Sequence, residues 1–116
     1  MKDSRSLAKE IAIAASEKKG RNIVLLNLQE VSLIADYFVI VSAGSSTQVK
    51  AIADSILKKL REEDIVPRSR EGYQEAQWIL LDYGGVVTHI FQEEQRQFYD
   101  LERLWGDAES EQFQGS

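Results

Sequence analysis

The spacing of apolar positions changes several times along this chain, and each change marks an element. Leu7, Ala8, Ile11, Ala14 and Ala15 recur at helical spacing behind Ser4 and Ser6, which can cap a first helix. Lys18-Lys19-Gly20 ends it, because cations suit the negative end of the helix dipole and glycine can take the left-handed cap. Ile23 to Leu28 is a short continuous apolar run, the pattern of a buried strand. Gln29 to Asp36 connects it to Tyr37-Phe38-Val39-Ile40-Val41, β-branched or aromatic throughout and the clearest strand. Ser45 and Gln48 then stand at capping-box spacing, and Val49, Ile52, Ala53, Ile56, Leu57 and Leu60 form the strongest helical stripe. Ile65-Val66-Pro67-Arg68 reads as a strand that the only proline confines to a sheet edge.

Two further apolar runs, Trp78 to Asp82 and Val86 to Phe91, meet through Tyr83-Gly84-Gly85 and predict a hairpin. With a two-residue Gly84-Gly85 loop, Asp82 opposes Val87, Leu80 opposes His89 and Trp78 opposes Phe91. Alternation then puts Trp78, Leu80, Asp82, Val87, His89 and Phe91 on one face, and Ile79, Leu81, Tyr83, Val86, Thr88 and Ile90 on the other. Glu93 to Tyr99 opens a short helical segment anchored by Leu101, Leu104 and Trp105. Apolar periodicity ends at Asp107, so the expected domain covers residues 1–108, with a tail lacking fixed structure over 109–116. The order implies an α/β fold: a single domain, one mixed sheet of about five strands, and flanking helices.

At 116 residues the chain fits one compact domain. It has no cysteine, which removes disulfides, thiolate nucleophiles and cysteine-based zinc sites from consideration. No apolar stretch approaches the roughly 20 residues of a membrane span, and the first residues lack a signal-peptide pattern, so a soluble, cytoplasmic protein is expected. Charge is unevenly placed: the balance is +2 over residues 1–58 and −7 over residues 59–116. The acidic half disfavours nucleic-acid binding over a large surface and suits a basic protein partner, or simply solubility.

Gly44-Ser45-Ser46 sits between a strand and a helix start, where free N–H groups can hold a phosphate. Without a P-loop or dinucleotide fingerprint, the plainer reading is a turn and an N-cap. A Gly-Ser turn of this kind also occurs in nucleotidyltransferase folds, but those enzymes hold magnesium on paired strand carboxylates. Here Asp54 lies on a helix and Asp82 stands alone on its strand. His89 is the only histidine and reads as packed or hydrogen-bonded in place, and no metal site is expected. The aliphatic hairpin face suits the core. The face with Trp78, Asp82, His89 and Phe91 fits either an interface patch or a surface covered by the segment holding Phe98, Leu101 and Trp105. Glu93, Glu94, Glu102 and Asp107 can steer a basic partner or form a solvated helix face.

Ala35-Asp36-Tyr37-Phe38-Val39-Ile40, then Gly44-Ser45-Ser46 with Gln48-Val49, then Ala51-Ile52-Ala53-Asp54, resembles the Iojap family of ribosomal silencing factors. A second block is more specific: Trp78 to Gly84, Val86 to Phe91, Glu93-Glu94, Arg96, Phe98-Tyr99, Leu101-Glu102 and Leu104-Trp105. The resemblance runs from Leu7 to Asp107 and departs at Gly85, where the family more often has Asp, and at Thr88, where a β-branched aliphatic is usual. It implies a nucleotidyltransferase-like topology without the metal carboxylates, and no cofactor. It further implies docking on the large ribosomal subunit through ribosomal protein L14, a block on small-subunit joining, and lower translation when nutrients are short. No membrane partner and no sequence-specific nucleic-acid contact are expected, and family members can form a homodimer. The residues then expected to touch the partner are Trp78, Leu80, Asp82, Tyr83, His89, Phe91, Glu93 and Glu94. Two alternatives stand beside this: a ribosome-assembly factor, as in organelle relatives, and a nucleotidyltransferase-like enzyme using Gly44-Ser45.

Overall fold

The structure, a computed structural model, describes residues 2–114. Helix α1 (Ser4–Glu17) buries the expected stripe, with Ala12 added to it. Its cap is Asp3 rather than Ser4 or Ser6: the carboxylate accepts from Ser6 N at 2.8 Å. That hydrogen bond, above all, holds the Asp3 carboxyl below its ordinary pKa, and an anion there also suits the helix dipole. At the other end the left-handed residue is Lys19 (φ 63), not Gly20. Gly20 is required by space instead, because a Cβ there would stand 2.6 Å from the Val41 side chain.

Strand β1 (Arg21–Asn27) runs antiparallel to β2 (Tyr37–Ala43), which is buried at every position because both of its faces are covered. Helix α2 (Ser46–Arg61) starts on the expected cap. Ser45 Oγ accepts from Gln48 N at 3.2 Å, and Gln48 Oε1 accepts from Gly44 N at 3.1 Å. The Gln48 amide also donates to Lys18 O and Lys19 O, which ties the end of α1 to the start of α2.

The edge strand lies later than the sequence suggested. β3 is Ser69–Glu71, not Ile65–Arg68, and pairs antiparallel with β4 (Trp78–Asp82). Pro67 has no N–H to give the ladder, so pairing begins just beyond it, where Arg68 N donates to Asp82 O at 2.7 Å. β4 and β5 (Val86–Gln92) form the hairpin in the expected register: Trp78↔Phe91, Leu80↔His89 and Asp82↔Val87. Tyr83 N donates to Val86 O at 2.9 Å, and Gly84 (φ 89) takes the positive φ that a tight hairpin turn needs at its first position.

β5 runs parallel to β2, with Tyr37 beside Val86 and Ala43 beside Gln92. Among the described residues this is the only parallel pair, in a mixed sheet of order β3-β4-β5-β2-β1-β6. One sheet face packs on α1 and α2, with Ile11, Ile52, Ile56, Leu60, Ile79, Leu81 and Ile90 fully buried. The other face is covered by two short helices, α3 (Glu93–Tyr99) and α4 (Leu101–Leu104), which break at Asp100 in the left-handed region (φ 45).

β6 (Glu109–Gln112) is a correction to the sequence reading. The tail expected to lack structure supplies a sixth strand, antiparallel to β1. None of its four residues is buried, so no apolar pattern could reveal it. Backbone pairing holds it, helped by Phe113, which packs on the main core and donates its N–H to Ile23 O at 2.8 Å. Residues 115–116 of the same expected tail lie outside the described residues.

Candidate docking face

The face of the hairpin turned away from α1 and α2 gathers Trp78, Leu80, Asp82, Val87, His89 and Phe91, as alternation required. It is only part covered. Phe91 is fully buried and His89 is 4% exposed, whereas Trp78 and Leu80 remain half-buried. Tyr99 of α3 lies over Trp78, with ring centroids 4.6 Å apart. Phe38 meets His89 edge-on at 4.5 Å and Trp105 at 5.9 Å. Tyr99, Trp78, His89, Phe38 and Trp105 thus form a continuous aromatic band across the sheet, and Phe91 supports Trp78 from below at 4.9 Å.

One hydrogen bond fixes the centre of this band. Trp78 Nε1 donates to His89 Nδ1 at 3.1 Å. Nδ1 must therefore be unprotonated, and the neutral ring carries its proton on Nε2, which is buried without a partner. Burial pushes the His89 pKa down to about 4, so the ring is neutral at physiological pH. Phe91 and His89 are both sealed within the domain, in ring contact with Trp78.

Exposed apolar side chains are concentrated on two segments, among exposed polar ones. Of the eight large hydrophobics exposed among the described residues, six lie on the Val31–Ile34 loop or on α3 and α4: Val31, Leu33, Ile34, Phe98, Tyr99 and Leu104. Leu33 is fully exposed, Phe98 is 78% exposed and Leu104 is 72% exposed. The loop is rooted in the same cluster as the band through Leu28 and Ala35. Leu33 and Ile34 were absent from the sequence-based site. Their signal was two adjacent aliphatics in a connector, which reads equally well as a buried helical turn.

The acidic groups do not form a single rim. Asp82 stands at the hairpin tip, where it accepts from Gly84 N at 2.8 Å and pairs with Arg68 at 3.3 Å. Glu93 and Glu94 lie beyond the far end of β5, about 20 Å away by strand rise. Glu93 lines a different cavity of about 420 Å³, together with Asp100 and Glu102. Arg96, which had no assigned role, is buried at its base. It donates to Arg21 O at 3.3 Å, Ser42 Oγ at 3.2 Å and Glu102 Oε2 at 2.9 Å, and so pins α3 to the sheet.

Tyr83 also departs from the expected group. It faces the main core with its hydroxyl unpartnered, and burial pushes its pKa up to about 12 against the opposing charge of Arg70. At Gly44-Ser45-Ser46, Gly44 N and Ser45 Oγ are both engaged by Gln48, so the turn serves the helix. Among the described residues, no group of three His, Asp or Glu could hold a metal ion.

Fold and site together define a single-domain mixed α/β protein with one sheet face sealed by long helices and the other incompletely capped and rich in exposed apolar side chains. The ribosomal silencing factor family, described as ribosomal silencing factors during starvation, matches residues 1–116. Similar proteins include the ribosomal silencing factors of Halalkalibacterium halodurans, 43% identical over 88% of this chain and 87% of that one, and of Bacillus subtilis, 42% identical over 91% and 90%. A crystal structure of a Chromobacterium violaceum protein superposes with a TM-score of 0.87 at 30% identity, covering 90% of this chain and 88% of the other. The chain belongs to the ribosomal silencing factor family.

Proposed function

We propose that this chain docks on the large ribosomal subunit through ribosomal protein L14 and sterically blocks the small subunit, so repressing translation under nutrient limitation. The observation that carries this reading is the incompletely capped sheet face. Tyr99 of the aromatic band and five further apolar side chains, on the Val31–Ile34 loop and on α3 and α4, are exposed. Exposed apolar surface of that kind costs solubility and points to a partner. The band is held in one conformation by stacking and by the Trp78–His89 hydrogen bond, so little side-chain entropy is lost on docking.

In this reading Trp78, Leu80, Leu33, Ile34, Tyr99 and Leu104 make the contact, with His89 and Phe91 as its support. Asp82, Glu93 and Glu94 face basic groups of the ribosomal protein at two separate ends of the surface, consistent with the −7 balance of residues 59–116. Tyr83 acts only through the hairpin. No bond is made or broken, and the protein works in the cytoplasm by occupying surface. No helix among the described residues is long and apolar enough to cross a membrane.

The test is sedimentation of the purified chain with large subunits, small subunits and joined ribosomes. Binding to large subunits alone, with loss of joining, is expected. Leu104→Asp should leave the fold intact, since Leu104 is 72% exposed, and should weaken binding by about 2 kcal/mol, or roughly thirtyfold, if it sits in the interface. Equal sedimentation with both subunits, or unimpaired joining at saturation, would sink the steric mechanism.

A further inference from the structure

The sheet edge opposite β6 carries a feature that docking by the aromatic band does not use. A groove of about 290 Å³ opens between the end of α2 and β3. Arg61, Arg68 and Arg70 converge on it with Ser69, Leu57 and Val66, and no carboxylate lines it. This occurs on a chain of net charge −5. Arg68 is partly compensated by Asp82, although its side chain stays 69% exposed. Arg61 and Arg70 are exposed and have no ion pair among the described residues. Asp82 answers Arg68 alone, so Arg61 and Arg70 leave the groove with an excess of positive charge, modest in water, that an anion would neutralise. Guanidinium forks match phosphate oxygens bidentately. β3 pairs only with β4 among the described residues, so its outer edge faces solvent.

We propose that this groove clamps the phosphate backbone of ribosomal RNA without reading its sequence. The proposal rests on docking at the large subunit, because the ribosome supplies the polyanion. The contact is confined to a few phosphates, since the acidic remainder of the chain repels any longer stretch of backbone. The groove also adjoins the hairpin: Arg68 Nε lies 3.9 Å from where a Cβ on Gly84 would sit. One docked molecule can therefore meet a protein with its sheet face and RNA with this edge.

The test is an amide NMR titration of the whole chain with a generic RNA duplex of about 16 base pairs at low salt. Shifts are expected at Arg61, Val66 and Arg68 to Arg70, and they should vanish in the double variant R61Q/R70Q, in which only exposed side chains change. No shift in this segment, or shifts produced by polyglutamate and not by RNA, overturns the proposal; the latter makes the groove a site for an acidic protein segment. On purified large subunits, R61Q/R70Q should lower the slope of log affinity against log salt by about 2, one for each phosphate that no longer meets an arginine. Leu104→Asp should weaken binding with the slope intact, and an unchanged slope in R61Q/R70Q also overturns the clamp. If the wild-type chain fails to bind large subunits yet shows the RNA shifts, the docking reading falls and the groove stands as a phosphate site.

Discussion

Acid should loosen this fold through one residue, His89. Its ring is 4% exposed, accepts the Trp78 indole N–H at Nδ1, and is held at a pKa of about 4 by burial, against 6.5 for an ordinary histidine. Protonating Nδ1 would destroy that hydrogen bond and place a cation inside the aromatic band. Because the folded pKa lies below the unfolded one, the unfolded chain takes up the proton first. The histidine's contribution to stability is therefore complete above pH 6.5 and is lost as pH falls toward 4. At about 1.4 kcal/mol per pH unit, the full loss is about 3 kcal/mol, of which about 2 kcal/mol is gone by pH 5. Urea denaturation at pH 7.5 and pH 5 reads this directly. The comparison is His89→Asn, whose side-chain oxygen can still accept from Trp78 but cannot titrate. The wild type should lose about 2 kcal/mol more than the variant between those two pH values. Equal losses would show that His89 is not a buried, neutral acceptor.

Other substitutions probe other parts of the fold. Thr88 is fully buried with its hydroxyl unpartnered, so Thr88→Val should stabilise by about 1 kcal/mol in the same denaturation assay; destabilisation would mean that the hydroxyl has a partner after all. Arg96→Ala removes the three hydrogen bonds that pin α3 and should cost about 2–3 kcal/mol, at the lower end because Glu102 can turn toward water. The same variant should expose Trp78 as Tyr99 lifts away, visible as a red shift of tryptophan fluorescence. Deleting residues 109–116 removes β6 and the Phe113 packing and should cost about 1–2 kcal/mol, whereas an unpaired tail would cost nothing measurable.

Much of the framework was legible from spacing alone. The stripe from Val49 to Leu60 could bury one face only as a helix, and Ser45 with Gln48 marked its start. Trp78 to Asp82 and Val86 to Phe91 around Gly84-Gly85 determined the hairpin register and the division of side chains between faces, because a strand's period of two leaves no third choice once the loop length is known. The family motifs on those same elements pointed to the ribosome independently of the fold. These features are local, and local periodicity is enough to encode them.

Tertiary structure decided whatever depends on a distant partner. β6 exists because β1 offers an unpaired edge, and Glu109 to Gln112 carry no buried side chain that would announce it. Arg96 became a buried anchor only because Arg21 O and Ser42 Oγ, far away in sequence, converge at its guanidinium. Asp82 and Glu93, both expected to touch the partner, stand at opposite ends of the hairpin. Whether the face bearing Trp78 was open or covered rested on how far α3 and α4 could reach. Their break at Asp100 buries Leu101 and leaves Phe98 and Leu104 in solvent. Burial and partnership are properties of chain segments brought together across the sheet, so the spacing of residues along one segment cannot specify them.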